Sequence, residues 1–382
     1  MRRPMALSRL RRSNAMSLLK IIVMIASIAA GVLATIFFGF PLIEDLIRGV
    51  DPALRYQPKV EKNFELQAGK DGMGTFDVQE LIIQELKIKN DPYIDGDRII
   101  FTTRTDGSNA GSVDSVVIYN TKTNELDPLP NVKIKYDNLL NPVISGNYAA
   151  WVDSLNDGGG QIIGYDLTKN QQFLIKEYAY AIPKISIAGD LITFMQWAGE
   201  SLQRLYVYNI NTREAVTVKL LESEVGNSAA DISTSDMVWS EYQKNDSGVT
   251  GSLKRIVFEN GNSRYENYDF GMDVFEPKTN GKDIAFSTAY NISSGSLMLS
   301  AGGGDPMKIA DNVLNYDIGD GFVVYTKDEM VFICFTNQQK IEETRPPISK
   351  NLLMGANGNG FVFYDVTDSE LVLDVVMYAY VE

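Results

Sequence analysis

The sequence predicts an all-β fold, a seven-bladed β-propeller with four-stranded antiparallel blades, preceded by one transmembrane helix. Three observations lead there. Glycine recurs at one register position in six of seven units, spaced about 44 residues apart. Each unit alternates short apolar runs with turn residues. A 20-residue uncharged run follows a basic N-terminus.

The N-terminus comes first. Residues 1–20 hold six bases (Arg2, Arg3, Arg9, Arg11, Arg12, Lys20) and no acid. Of 35 bases and 49 acids in all, the rest of the chain therefore carries 29 against 49, a net charge of −20. The run Ile21 to Phe40 contains no charge. Twenty helical residues span about 30 Å, the thickness of a bilayer's hydrocarbon core. A cleaved signal peptide would have a shorter apolar region and a small-residue cleavage site. Here Pro41-Leu42-Ile43-Glu44-Asp45 follows, and no cysteine offers a lipoprotein site. The run reads as an uncleaved anchor with its basic flank in the cytoplasm and the acidic bulk outside. Residues 41–76, with Pro52, Pro58 and the glycines Gly69 to Gly74, read as a juxtamembrane stalk.

From residue 77 to 382 the chain repeats. Seven apolar runs close on Phe101, Trp151, Phe194, Trp239, Phe286, Val324 and Phe363. Five positions earlier stand Gly96, Gly146, Gly189, Gly281, Gly319 and Gly358, with Thr234 the exception. Glycine there supplies the positive φ of a tight hairpin. A third run ends in an aromatic or aliphatic residue followed by a polar one, as at Tyr119-Asn120, Tyr165-Asp166 and Tyr208-Asn209. A turn and a fourth run follow. Four antiparallel strands in such a period form a propeller blade. The last unit lacks a fourth strand, and Asp77 to Leu86 is positioned to supply it, closing the ring. The competing architecture is a β-sandwich with coincidental spacing.

The repeated order of turn glycine, apolar strand, Trp or Phe, polar loop and Tyr-Asp/Asn, as from Ile144 to Asn170, resembles the TolB-like and WD40-like propellers of exported bacterial proteins. The resemblance covers residues 77–382 and implies shape. It leaves the ligand open, because propellers host enzymes, receptors and scaffolds alike.

Composition excludes several chemistries. The chain has no histidine, so Ser-His-Asp triads and His-x-x-x-His zinc sites are ruled out. Its one cysteine, Cys334, cannot form an internal disulfide and reads as a small buried hydrophobe. A domain at −20 repels phosphate backbones, so no nucleic-acid partner is expected. Asp91, Asp95 and Asp97 do not complete a calcium loop, and no metal or other cofactor is expected.

The loops between second and third strands open on one face: Thr105–Asp114, Ser154–Gly160, Ala198–Gln203, Gln243–Ser252 and Asn291–Ser296. Trp197, Tyr242 and Tyr290 enter them, and Asp153, Glu241 and Asp365 stand two positions after their anchors. Aromatic faces beside carboxylates suit sugar rings. These residues are the ligand-binding candidates, with Trp197, Tyr242, Tyr290, Asp153 and Glu241 foremost. The plainer alternative is that the aromatics cover blade edges while the acids face water. The inner-strand acids Asp95, Asp231 and Asp317 lie nearer the channel, but their register singles out no pair. No catalytic residue is assigned. The expected function is non-catalytic binding or scaffolding of a protein or glycan at the cell surface. The alternative is a cell-envelope glycan hydrolase or lyase using carboxylates. A close pair of buried acids in the channel mouth would favour that alternative.

Overall fold

The computed structural model describes residues 92–381, with gaps at 105–112, 137, 156–157, 260–261, 329, 337–350 and 366–374, and segments 59–65, 77–82 and 87–88. The basic segment 1–20 and the apolar run 21–40 lie outside the described residues. Among the described residues no helix is long and apolar enough to cross a membrane.

Residues from Tyr56 to Glu382 form one compact unit. It contains seven antiparallel sheets, the blades of a propeller. Blade 1 holds Tyr93–Asp95, Arg98–Arg104, Ser115–Asn120 and Glu125–Pro128. Blade 2 holds Leu139–Ser145, Tyr148–Ser154, Gly160–Asp166 and Gln171–Tyr178. Blade 3 holds Ile185–Ala188, Leu191–Trp197, Leu202–Asn209 and Glu214–Glu222. Blade 4 holds Asp231–Ile232, Asp236–Asn245, Gly248–Glu259 and Asn262–Asn267. Blade 5 holds Phe275–Thr279, Ile284–Ser287, Ser296–Ser300 and Met307–Asp311. Blade 6 shows Asn315–Gly319, Phe322–Lys327 and Met330–Phe335 among the described residues. Blade 7 holds Asn351–Asn357, Gly360–Asp365 and Val375–Tyr380.

The ring closes as the unit count requires. Asp77–Ile82 pairs antiparallel with Val375–Tyr380 as the fourth strand of blade 7. A further strand, Lys59–Glu65, pairs with Asp77–Ile82. It falls inside the segment read as a stalk, where flanking prolines and glycines hide a short alternating run. The seam is also held by side chains. The Tyr380 hydroxyl lies 3.0 Å from the Gly96 carbonyl and 2.7 Å from Thr121 Oγ1.

The anchors are core. Trp151 and Trp239 are fully buried, Trp151 in a cluster shared by blades 1 and 2, Trp239 in one shared by blades 3 and 4. Cys334 is buried among apolar residues of blades 5 and 6. The residue after each third-strand aromatic has a definite task. Asn120, Asp166 and Asn209 each accept two backbone N–H bonds from the following turn. Such Asx turns set the hairpin to the fourth strand.

Two turns depart from the repeat. In blade 6 the positive φ belongs to Gly321 (+82°), while Gly319 ends the inner strand against the Phe322 ring. In blade 4 no glycine is needed. Ser233 Oγ accepts from the N–H of Ser235 (3.1 Å) and Asp236 (3.0 Å) and donates to Asp236 Oδ1 (2.6 Å). Arg255 Nε and Thr279 Oγ1 complete the shell of that buried carboxylate at 2.7 and 2.9 Å.

Candidate functional site in the central channel

The inner strands surround a cavity of about 460 Å³, lined by residues of all seven blades. At one end the inner turns are tied blade to blade. Asp95 Oδ2 accepts from Gly146 N (2.9 Å), Ser145 Oγ from Gly189 N (3.0 Å), and Asp95 Oδ1 from Asn357 Nδ2 (3.2 Å). On the far side Ser235 donates to the Gly281 carbonyl (3.2 Å) and Asn280 to the Gly319 carbonyl (2.8 Å). These bonds make that rim rigid.

Three charged side chains from adjacent blades meet inside. Lys278 Nζ stands 3.8 Å from Asp231 Oδ1 and 3.9 Å from Asp317 Oδ1. Each carboxylate is fixed from behind. Asp231 accepts from Ser186 Oγ (3.1 Å) and Thr279 N (2.9 Å). Asp317 accepts from Ala356 N (2.9 Å) and Ile318 N (3.0 Å). Burial opposes the charge on Lys278, but Asp317, Asp231 and Glu276 outweigh it and hold the ammonium above its ordinary pKa. Burial pushes the Asp317 carboxyl up; Lys278 opposes this and Asp231 adds to it. Tyr93 also lines the cavity, its phenol raised first by burial, then by Asp317, Asp231 and Asp95.

Glu276 lines the cavity at a bulge in the inner strand of blade 5, with φ of +46°. A non-glycine residue there carries strain of about 1–3 kcal/mol and needs external support. Tyr242 and Tyr316 supply it. The Tyr242 hydroxyl accepts from Glu276 N (3.1 Å) and donates to Glu276 Oε1 (3.2 Å). The Tyr316 hydroxyl lies 2.5 Å from the Glu276 carbonyl.

The aromatic candidates converge, with unequal exposure. Tyr242 is 4% exposed, whereas Tyr290 is 48% exposed. Their ring centroids are 5.5 Å apart, edge to face. The Tyr290 hydroxyl donates to the Val225 carbonyl (3.2 Å). Trp197 is half-buried and lies against the neighbouring Gly226, where an added Cβ would stand 3.2 Å from Trp197 Cζ2. Asn227 accepts from Tyr242 N at 2.9 Å. The connection between blades 3 and 4 thus gathers all three aromatics into one patch on the loop face.

None of these aromatics, and none of the acidic candidates, lines the channel cavity. Asp153 is fully buried, which corrects the solvated alternative. It accepts from Lys135 N (2.7 Å), Tyr136 N (3.0 Å) and Gln161 Nε2 (2.9 Å), tying down the connection between blades 1 and 2. Glu241 pairs with Lys219 of blade 3 and accepts from Trp239 Nε1 (3.3 Å). Asp365 closes its strand in blade 7. The expected loop Gln243–Ser252 is instead a hairpin, in register through Asn245↔Gly248 around a two-residue Asp246-Ser247 turn. Asp95 is held by Arg98 (2.7 Å) and Asp97 by Lys122 (2.6 Å). Among the described residues no group of three or more acids or cysteines is placed to hold a metal ion.

Sequence reasoning missed Lys278, Glu276 and Tyr93. The available signal was a charged residue on an inner strand, in Phe275-Glu276-Pro277-Lys278-Thr279.

No protein-family model matches the chain, and no curated protein matches it. Solved structures do. The β-propeller domain of the trilobed protease from Pyrococcus furiosus is 15% identical, covering 77% of this chain and 93% of that one, with a TM-score of 0.56. Oligogalacturonate lyase from Vibrio parahaemolyticus is 11% identical, covering 85% and 98%, with a TM-score of 0.57. TolB from Acinetobacter baumannii is 14% identical, covering 62% of this chain and 60% of that one, with a TM-score of 0.43. The resemblance expected from the repeat is met at the level of the propeller shape. Likeness at such identities is likeness of fold.

Proposed function

We propose that this chain is a membrane-anchored extracytoplasmic propeller that binds a protein or glycan partner without transforming it. The observation that carries the reading is the charge state of the channel. Its central ammonium sits between two carboxylates that keep it protonated, so Lys278 is a poor base at neutral pH. Glu276 is hydrogen-bonded to Tyr242. The cavity of about 460 Å³ falls within the range of small-ligand pockets, roughly 300–1,000 Å³. The half-buried Trp197 and exposed Tyr290 offer a partner flat apolar contact on the loop face. The anchor rests on the six bases and the uncharged run at residues 21–40.

A second reading, a glycan hydrolase or lyase, is favoured by one observation. Asp231 and Asp317 face a common nitrogen, and Asp317 is pushed toward its neutral form as a general acid would be. The lyase among the solved structures of similar shape fits it too.

The test uses the full chain in detergent, incubated with fragments of the cell envelope. Captured material of unchanged mass supports binding. Accumulation of shortened or unsaturated glycan, abolished by Asp317→Asn, overturns it in favour of the lyase or hydrolase. Protease added to intact cells tests the topology: cleavage of the propeller from outside is expected, and full protection refutes the orientation.

A further inference from the structure

We infer that Asp231, Lys278, Asp317 and the Tyr93 ring form a subsite for a neutral ligand with adjacent hydroxyl groups, a saccharide of one or two rings. The inference rests on the channel being the binding site.

The site combines open hydrogen-bonding capacity with mixed charge, one ammonium set among the carboxylates of Asp231, Asp317 and Glu276. At 3.8 and 3.9 Å the carboxylate oxygens are beyond hydrogen-bond reach of the Lys278 ammonium. Its N–H groups therefore make only a long, weak contact to Asp231, and the side chain keeps 34% of its surface open on a cavity it lines. The carboxylates are held by bonds from Ser186, Thr279, Ala356 and Ile318, one to each oxygen. A carboxylate oxygen accepts two such bonds, so each retains capacity. The site presents acceptor, donor, acceptor in a row across blades 4, 5 and 6.

Charge decides between ligand classes. An anionic ligand would gain one ammonium and meet Asp231, Asp317 and Glu276. A cationic ligand would meet an ammonium already seated between the carboxylates. A hydroxyl group accepts from the ammonium and donates to a carboxylate at once. Two hydroxyls on neighbouring carbons satisfy the Lys278–Asp231 and Lys278–Asp317 gaps together. The Tyr93 ring adds an apolar face close by. An added Cβ on Gly355 would lie 3.4 Å from Tyr93 Cδ2 and 3.6 Å from Asp317 Oδ2. The Tyr93 hydroxyl, too, has no hydrogen-bond partner among the described residues.

The test is calorimetric titration of the full chain in detergent. The neutral probes are glucose, galactose, mannose, N-acetylglucosamine, maltose and cellobiose; the charged probes are glucosamine and galacturonate. At least one neutral sugar should bind about tenfold more tightly than both charged ones. Lys278→Met should weaken that sugar about tenfold and strengthen glucosamine, because two carboxylates then face the cavity without their ammonium. Asp317→Asn should strengthen galacturonate; it carries the test if Lys278→Met does not fold, as judged by circular dichroism. Binding of a charged probe alone overturns the neutral-sugar inference and leaves the channel reading standing. No binding by any sugar also overturns the inference. An envelope partner held equally well by wild type, Lys278→Met and Tyr93→Ala overturns the channel reading with it.

Discussion

Replacing Asp153 by alanine removes the acceptor for three donors at once. Two are backbone N–H groups of the connection between blades 1 and 2, at 2.7 and 3.0 Å; the third is Gln161 Nε2 at 2.9 Å. Bonds to a charged acceptor are worth about 1.5–3 kcal/mol each, and stranding their donors costs about 1–3 kcal/mol per group. Lys135 is exposed, so water recovers part of the loss there. The expected cost is about 3 kcal/mol. Domains of 150–250 residues lose about 2–4 °C per kcal/mol, and this larger ring loses less, so the melting point should fall by about 5 °C. Asp153→Asn is the control. Its amide oxygen can take the place of Oδ2 and keep two bonds, but its NH2 group then faces the Tyr136 N–H, so the cost should be about 1–2 kcal/mol. The assay is thermal unfolding followed by circular dichroism. If Asp153→Ala melts with the wild type, the structural role argued for this carboxylate is wrong.

Three further outcomes are expected. Burial works against the Asp166 charge, but hydrogen bonds from Lys169 and Thr168 outweigh it and hold its pKa at about 2. The carboxyl is thus depressed below its unfolded value of about 3.9, so its contribution is present above that value and lost as pH falls toward 2. After screening near the surface it should amount to about 1 kcal/mol, and Asp166→Ala should flatten that limb of the pH-stability curve; an unchanged limb would contradict the assignment. A fragment beginning at residue 89 lacks three N-terminal strands, Lys59–Glu65, Asp77–Ile82 and Lys87–Ile88, and should aggregate or unfold without cooperativity, whereas one beginning at residue 56 should melt in one transition; identical melting curves would remove the closure argument. Tyr242→Phe and Tyr316→Phe should each cost about 1–2 kcal/mol, and the double variant should depart from the sum because both phenols brace Glu276; strict additivity in a double-mutant cycle would show that they act independently.

The architecture was legible because each repeated residue performs a local task. Glycine at the inner turn, a buried aromatic anchor and an Asx residue before the outer hairpin can all be read without knowing which strands are neighbours. The reading of blade 6 slipped by one position because the glycine of its turn is Gly321, not Gly319, so that Tyr325 rather than Val324 stands where the other blades place their anchor. The trio in the channel was not legible for the opposite reason. Asp231, Lys278 and Asp317 stand on three strands at unrelated register positions, and the bulge at Glu276 shifts the register between Phe275 and Lys278. The aromatic patch lay between these cases. Its members were visible in the sequence, but the glycine that receives Trp197 and the carbonyl that receives Tyr290 lie on a connection without a repeated pattern. The exposure of each ring follows from that connection.

The seam that closes the ring has a consequence for synthesis. The Tyr380 hydroxyl and the Gly96 carbonyl that meet there are 284 residues apart in the chain. Asp77–Ile82 is made before the blades, and its partner Val375–Tyr380 after them. Until Val375–Tyr380 is made, Asp77–Ile82 has Lys59–Glu65 as partner on one side only, and the growing stack of blades behind it keeps an open flank. Open strand edges recruit other strands, and pairings so distant in sequence form slowly. The interval before Val375–Tyr380 emerges is when two nascent copies can exchange these strands and close each other's rings.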